Sequence, residues 1–238
     1  MKRSNNLTLL LAALLMTATT PTLAQNNEEL PEVTEDGLRL VPDSKLAVVY
    51  AEPGASLAEY KRVNILDPYV AFKKNWERDQ RRSSAGSLRL TSKDIENIKN
   101  KLAEEFRLVF TEVLEDGGYP VVETAGDDVL LIRPAIINLD VTAPDVPRAG
   151  RTTSYVASAG EMTLYVELYD SVTGDLIAKA LDRRADGYNN SFYTWSNSVT
   201  NKAAADRIIK GWASILLDAL KEAKERLPDT GAAVENES

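Results

Sequence analysis

The 238-residue chain contains no histidine and no cysteine. That absence excludes every Ser-His-Asp and Cys-His nucleophile, all disulfides, and the imidazole and thiolate ligands of structural zinc sites. The patterns G-x-S-x-G, S-x-x-K, G-x-x-x-x-G-K and G-x-G-x-x-G are missing too. Serine hydrolases of those types, P-loop nucleotide enzymes and Rossmann oxidoreductases are therefore not expected, and no cofactor is implied. Long hydrophobic runs are also scarce. The best one, Leu7 to Met16, is interrupted by Thr8 and is about half of what crosses a bilayer.

What is present is an ordinary globular composition, 44% hydrophobic and 27% charged. The apolar run follows Lys2 and Arg3 and precedes Thr22-Leu23-Ala24, with small residues where a signal peptidase requires them. Residues 1–24 are expected to be a secretory signal peptide cut after Ala24, which places the protein in the periplasm. No cysteine follows the run to be acylated, so no lipid anchor is expected. Removing residues 1–24 leaves 26 basic against 36 acidic residues, a net charge of −10. Nucleic acid and anionic lipid are poor partners for such a surface.

Residues 25–36 read as a flexible acidic leader, 37–228 as one folded domain, and 229–238 as a disordered acidic tail. Helical periodicity is clearest from Ser92 to Asp116, where Ile95, Ile98, Leu102, Phe106, Val109 and Val113 recur at steps of three and four. Thr91 or Ser92 caps its start, and Gly117-Gly118 supplies a left-handed end. A second helix from about Asn201 to Leu227 puts Ile208, Ile209, Trp212, Leu216, Ala219, Leu220 and Ala223 on one face, with Trp212 central to the packing.

Strands are expected at 46–50, 62–66, 121–123 and 129–141. Pro134 in the last implies a bulge or an edge position. Met162 to Asp170 alternates strictly: Met162, Leu164, Val166 and Leu168 face one side, and Thr163, Tyr165, Glu167 and Tyr169 the other, a half-buried strand. DSVTGD then turns the chain into a returning strand, 176–181, and 182–187 reads as the exit from the sheet. The stretch around Trp76, KKNWERDQRR, reads as a surface loop or irregular helix, and 142–160 as a long loop. Together these predict an α+β fold, a mixed, largely antiparallel sheet with two long amphipathic helices packed on one face.

The ordered set DGLRLVPDSKL, YKRVNILDP, the helix ending in DGGYPVV, LLIRPAI and YDSVTGDLIAKALDRR resembles a bacterial family known only as domain of unknown function 3313. Many of its members are lipoproteins of Gram-negative envelopes. The resemblance implies an envelope protein of unestablished activity and supplies no functional residues. This chain departs from the lipoprotein members in lacking the acylated cysteine.

Carboxylates are the only general acid/base equipment left. Asp170 with Asp175, Asp127 with Asp128, and Asp140 with Asp145 are the best clusters, and a polysaccharide hydrolase using Asp140 and Asp170 is one alternative. The bland reading is that Asp170, Asp175, Asp127 and Asp128 serve turns. DSVTGD lacks the ligand spacing of a calcium-binding hand, so no metal site is expected. The segment 182–195 brings together Arg183, Arg184, Tyr188, Phe192, Tyr193 and Trp195, residue types enriched at binding hot spots. Of these, Arg183, Arg184, Tyr188, Tyr193 and Trp195 are the candidate partner-binding residues. The competing reading has Phe192 and Trp195 covering the core edge while the arginines pair with Asp182 and Asp186. The preferred function is a non-enzymatic binding or accessory module contacting another envelope protein or a glycan. A small-ligand carrier, which would need an apolar pocket, is the other alternative.

Overall fold

The computed structural model describes residues 30–83, 91–141, 155–156, 160–185, 194–195 and 198–226. The chain divides into two units, Met1–Leu30 and Pro31–Ser238. The expected signal peptide and acidic tail lie outside the described residues, as do 142–154 and 157–159 of the long loop.

The second unit is an α+β structure built on a seven-stranded sheet. Its strands are β1 (Arg39–Leu40), β2 (Val48–Ala51), β3 (Arg62–Ile65), β4 (Tyr69–Phe72), β5 (Val129–Asp140), β7 (Glu161–Asp170) and β8 (Leu176–Ala185). The order is β1-β2-β8-β7-β5-β3, with β4 also pairing β5. Two-residue strands β6 (Tyr155–Val156) and β9 (Thr194–Trp195) pair separately. The helices are α1 (Trp76–Ser83), α2 (Ser92–Asp116) and α3 (Ser198–Glu225).

Five strands, β1, β2, β8, β7 and β5, pair antiparallel in that order, whereas β3 and β4 run parallel to β5. Parallel pairing needs a crossover, and α2 is the element that carries the chain back. Thr91 caps α2: its hydroxyl accepts from Asp94 N–H while the Asp94 carboxylate accepts from Thr91 N–H. Gly118, at φ +91°, takes the left-handed conformation at the other end, while Gly117 stays helical at φ −77°. Gly117 serves packing instead, because a Cβ there would lie 2.3 Å from Leu217 of α3.

The core lies between the helices and one sheet face. Phe106, Val109, Phe110 and Leu114 of α2 and Ile208, Ile209, Trp212, Ala213 and Leu220 of α3 pack with Leu130, Ile132 and Ile136 of β5 and Met162, Leu164, Val166 and Leu168 of β7. The alternation read from the sequence of β7 is observed except at Thr163, which is buried although it stands on the opposite face.

Pro134 is neither at an edge nor at the bulge. Ser171 N–H donates to Val129 O, so hydrogen-bonded pairs with β7 fall at odd positions of β5, and Pro134, opposite Val166, turns its nitrogen the other way. On that flank the last partner of β3 is Ile132 and the first partner of β4 is Ala135. The ring thus occupies the junction where no ladder donor is required. The bulge is at Asn138, φ +52°, where the β5–β7 register shifts. One extra residue reverses the alternation, which brings Leu139 into the core after Leu130, Ile132 and Ile136.

Other expectations need correction. Residues 182–185 do not leave the sheet; they complete β8 opposite Glu161 to Leu164. KKNWERDQRR contributes the regular helix α1, and Trp76 is buried, stacked on Phe72 with ring centroids 3.9 Å apart and donating its indole N–H to Val141 O at 2.8 Å. Residues 121–123 form only an isolated bridge, Val63 with Val121. Part of the segment read as leader is held in place: Tyr50 donates to Pro31 O, Leu40 N–H to Glu32 O, and Asp36 pairs with Lys179.

Candidate functional site

Of the residues nominated from the 182–195 segment, Arg183 and Arg184 take different faces of the sheet. Arg183 and Arg184 are consecutive in a strand, so they project from opposite faces. Arg184 turns toward the helices, where its Nε donates to Asp182 at 2.8 Å and its guanidinium lies 6.0 Å from the Trp212 ring centroid. Gly211 is the residue of α3 that admits it, since a Cβ there would meet Arg184 Nη1 at 2.6 Å. Arg183 is on the other face and grips Glu161 with two hydrogen bonds, 2.9 and 2.5 Å long. Tyr188 and Tyr193 lie outside the described residues, as does Phe192; Trp195 is described only as a backbone position of β9, opposite Tyr155.

A different surface emerges from the register. The sheet face turned away from the helices carries a cross-strand row: Val48 of β2 opposes Leu181 of β8, which opposes Tyr165 of β7, then Ala135 of β5, then Tyr69 of β4. At about 4.8 Å per strand the row spans roughly 19 Å. Tyr69, at one end of the row, is 67% exposed; Leu181 is also exposed, and Val48 at the other end is half-buried. Sequence reading found Tyr165, Glu167 and Tyr169 pointing this way but missed Val48, Leu181, Arg133 and Tyr69. Alternation in β8 and β5 carried that signal once their full lengths are known.

Charges border the row on either side. Glu167 accepts from the hydroxyls of Tyr165 (2.7 Å) and Tyr169 (2.8 Å) and pairs with Arg133 at 3.3 Å. Burial, and then the hydrogen bond to Glu167, hold the Tyr165 hydroxyl above its ordinary range. Arg183 holds the Glu161 carboxyl below its usual value. In both pairs the cation is outermost: Arg133 is 64% exposed over a Glu167 at 17%, and Arg183 is 68% exposed over a Glu161 at 23%.

The proposed acid pair fails on distance. Asp140 stands opposite Glu161 and Asp170 opposite Leu130, at the two ends of β5 and β7. About nine residues of strand separate them, roughly 30 Å, against the 5–10 Å over which two carboxyls act on one glycosidic bond. Asp140 pairs with Lys73 at 2.9 Å, and Asp170 accepts from Val172 N–H, Thr173 N–H and the Tyr60 hydroxyl. The turn role is the observed one for Asp170. A cleft of about 580 Å³ lies between the end of β4, α1 and the start of α2. Its lining includes Lys73, Arg78 and Lys99 beside Phe72 and Ile95, a mixed rather than apolar wall.

Residues 35–216 match the family model described as protein of unknown function, DUF3313. The chain belongs to DUF3313. The sheet and helices of this DUF3313 protein, with the row just described, all fall largely within the matched span. No curated protein matches it. Among solved structures it is similar to a PelC dodecamer from Paraburkholderia phytofirmans (14% identity, 70% of this chain and 96% of that one, TM-score 0.35). It is also similar to a DUF4136 family protein from Bacteroides thetaiotaomicron (12%, 72% and 96%, TM-score 0.35). A third is a minor lipoprotein from Acinetobacter baumannii (11%, 71% and 97%, TM-score 0.31). At these scores the likenesses carry no inference about the function of the DUF3313 chain.

Proposed function

We propose that this protein is exported through the signal peptide at residues 1–24, cut after Ala24, and acts in the periplasm as a non-enzymatic binding module contacting another envelope protein. The observation that carries this reading is the open row Val48–Leu181–Tyr165–Ala135–Tyr69 bordered by Arg133 and Arg183. Tyrosine and arginine around an apolar centre are the composition of binding hot spots. The aliphatic members, Val48, Leu181 and Ala135, favour a protein partner over a glycan, because they need an apolar complement. Of the residues nominated from the sequence, Arg183 belongs to this surface, and Arg184 to the packing under α3. No helix among the described residues is long and apolar enough to cross a membrane.

Site-specific photocrosslinking in intact cells tests the reading. A photoreactive amino acid at position 69 or 181 is expected to give a discrete adduct with an envelope protein, and one at Leu108, exposed on α2, none. Adducts only from position 108, or none from the sheet face, would overturn it.

A further inference from the structure

We infer that the occupant of this sheet face is a second copy of the chain, docked head to tail through an acidic corner at the end of its own sheet. The inference rests on the binding role proposed above and names the partner.

Two complementary surfaces carry it. On the sheet face the ion pairs are Arg133–Glu167, Arg183–Glu161, Lys73–Asp140 and Lys179–Asp36, so the charges balance, although the whole chain is at −8. Arg133 and Arg183 are the most exposed charged groups among these pairs, at 64% and 68%, whereas in Lys179–Asp36 the carboxylate is the outer partner. Arg133 commits one Nη1 donor to Glu167 and also hydrogen-bonds Tyr169, and Arg183 commits Nε and one Nη2 donor to Glu161. Each guanidinium has five N–H donors, so both retain free ones for an incoming carboxylate without releasing the carboxylate beneath.

The acid excess has its own concentration. Glu52 after β2, Glu59 before β3, and Asp170 and Asp175 of the β7–β8 turn surround a hollow of about 240 Å³ at one end of the sheet. Asp170 is bonded to Tyr60 and two backbone N–H groups. Glu52, Glu59 and Asp175 have no cationic partner among the described residues, and all three are exposed. Carboxylates crowded at one rim repel each other, and arginines brought by a neighbour relieve that repulsion. Single exposed ion pairs contribute little, so the apolar row between Arg133 and Arg183 must be covered in the same contact.

Face and corner are different patches, so the contact is heterologous. It leaves one face and one corner unused and continues to a third copy, as a ring or a filament. Sedimentation of the purified protein tests this. In 0.05 M NaCl the protein is expected to form species larger than a dimer, and in 0.5 M NaCl, where exposed charges are screened, to shift toward monomer. The double variant Arg133→Glu/Arg183→Glu and the double variant Glu52→Lys/Glu59→Lys should each be monomeric, with circular dichroism confirming that both fold.

Mixed one to one, the two variants should form a heterodimer and nothing larger, because only one functional face and one functional corner remain per pair. That signature is not produced by a two-fold symmetric dimer. A monomer at low salt, an oligomer indifferent to both variants, or a mixture that stays monomeric would overturn the inference. A monomer that still crosslinks in cells to a different protein through positions 69 and 181 would leave the proposed binding role standing.

Discussion

Trp212 of α3 donates its indole N–H to Asp182 of β8 at 2.8 Å, a hydrogen bond between two buried side chains that fastens the helix layer to the sheet. The same carboxylate accepts from Ala47 N–H at 3.0 Å and from Arg184 Nε at 2.8 Å. One buried acid therefore holds α3, β8 and the chain entering β2. Trp212→Ala removes the ring and the donor together and should cost roughly 3–5 kcal/mol in urea unfolding. Trp212→Phe keeps most of the apolar volume, so its cost isolates the lost donor at about 1–3 kcal/mol. Unfolding of Trp212→Phe indistinguishable from the parent would show that the hydrogen bond is not stabilising.

Gly117 sits where α2 and α3 approach each other. Its backbone is helical, so alanine is conformationally acceptable there, and the nearest atoms a Cβ would meet are those of the Leu217 side chain. Gly117→Ala should destabilise by about 1–3 kcal/mol through overpacking. Adding Leu217→Ala should recover part of that loss, though Leu217→Ala alone is itself destabilising. Additive costs in the double-mutant cycle would show that the two residues do not share the space.

Asn138 holds the bulge that turns Leu139 inward, and it does so at a positive φ where a Cβ is unfavourable. Asn138→Ala should lose about 1 kcal/mol, while Asn138→Gly should be neutral or slightly stabilising. Equal stability of the two variants in thermal unfolding would place the bulge elsewhere.

These positions show why some of the fold is legible in the sequence and some is not. The bounds of α2 follow from apolar residues at steps of three and four, with Thr91 and Gly118 as local end signals, and β7 follows from its alternation. Both are local patterns. The end of β8 is not, because Asp182 and Arg184 are polar residues on a core-facing side, and beyond their own pairing their partners, Ala47 and Trp212, are far away in sequence. Pro134 looks like an edge signal until two separate strands are seen to meet opposite it. The open sheet face is hidden for the same reason: Arg183 and Arg184 are neighbours in sequence and on opposite faces in space, whereas Tyr69 and Tyr165 are far apart in sequence and joined through Ala135.

Four carboxyls predict the acid limb of the stability curve. The Thr91 hydroxyl lowers Asp94, the Arg62 guanidinium lowers Asp128, Arg183 lowers Glu161, and the backbone N–H of Thr173 leads the groups that lower Asp170. A depressed folded value means that the ionised form favours the native state. The stabilisation is complete above the unfolded values near pH 4 and disappears as pH falls through the folded ones. The urea midpoint should therefore drop between pH 5 and pH 2, and Asp170→Asn, which cannot titrate, should drop less. An equal drop in the variant would remove Asp170 from this account.

Tyrosine governs the alkaline limb with the opposite sign. Burial first, and then a hydrogen bond to a carboxylate, raise Tyr60 beside Asp170 and Tyr165 beside Glu167 above the ordinary value of 10.0. A raised folded value favours the protonated hydroxyl in the native state, so this stabilisation is complete below pH 10 and is lost as pH climbs toward the folded values. Burial raises Tyr119 and Tyr169 as well, so these four of the nine tyrosines should ionise late, in the range where the chain unfolds. Absorbance at 295 nm should show an early reversible phase and a late phase coincident with loss of circular dichroism. Tyr165→Phe should shrink the late phase without touching the early one. Shrinkage of the early phase instead would mean that Tyr165 titrates freely, and that its bond to Glu167 does not order the row on the open face of the sheet.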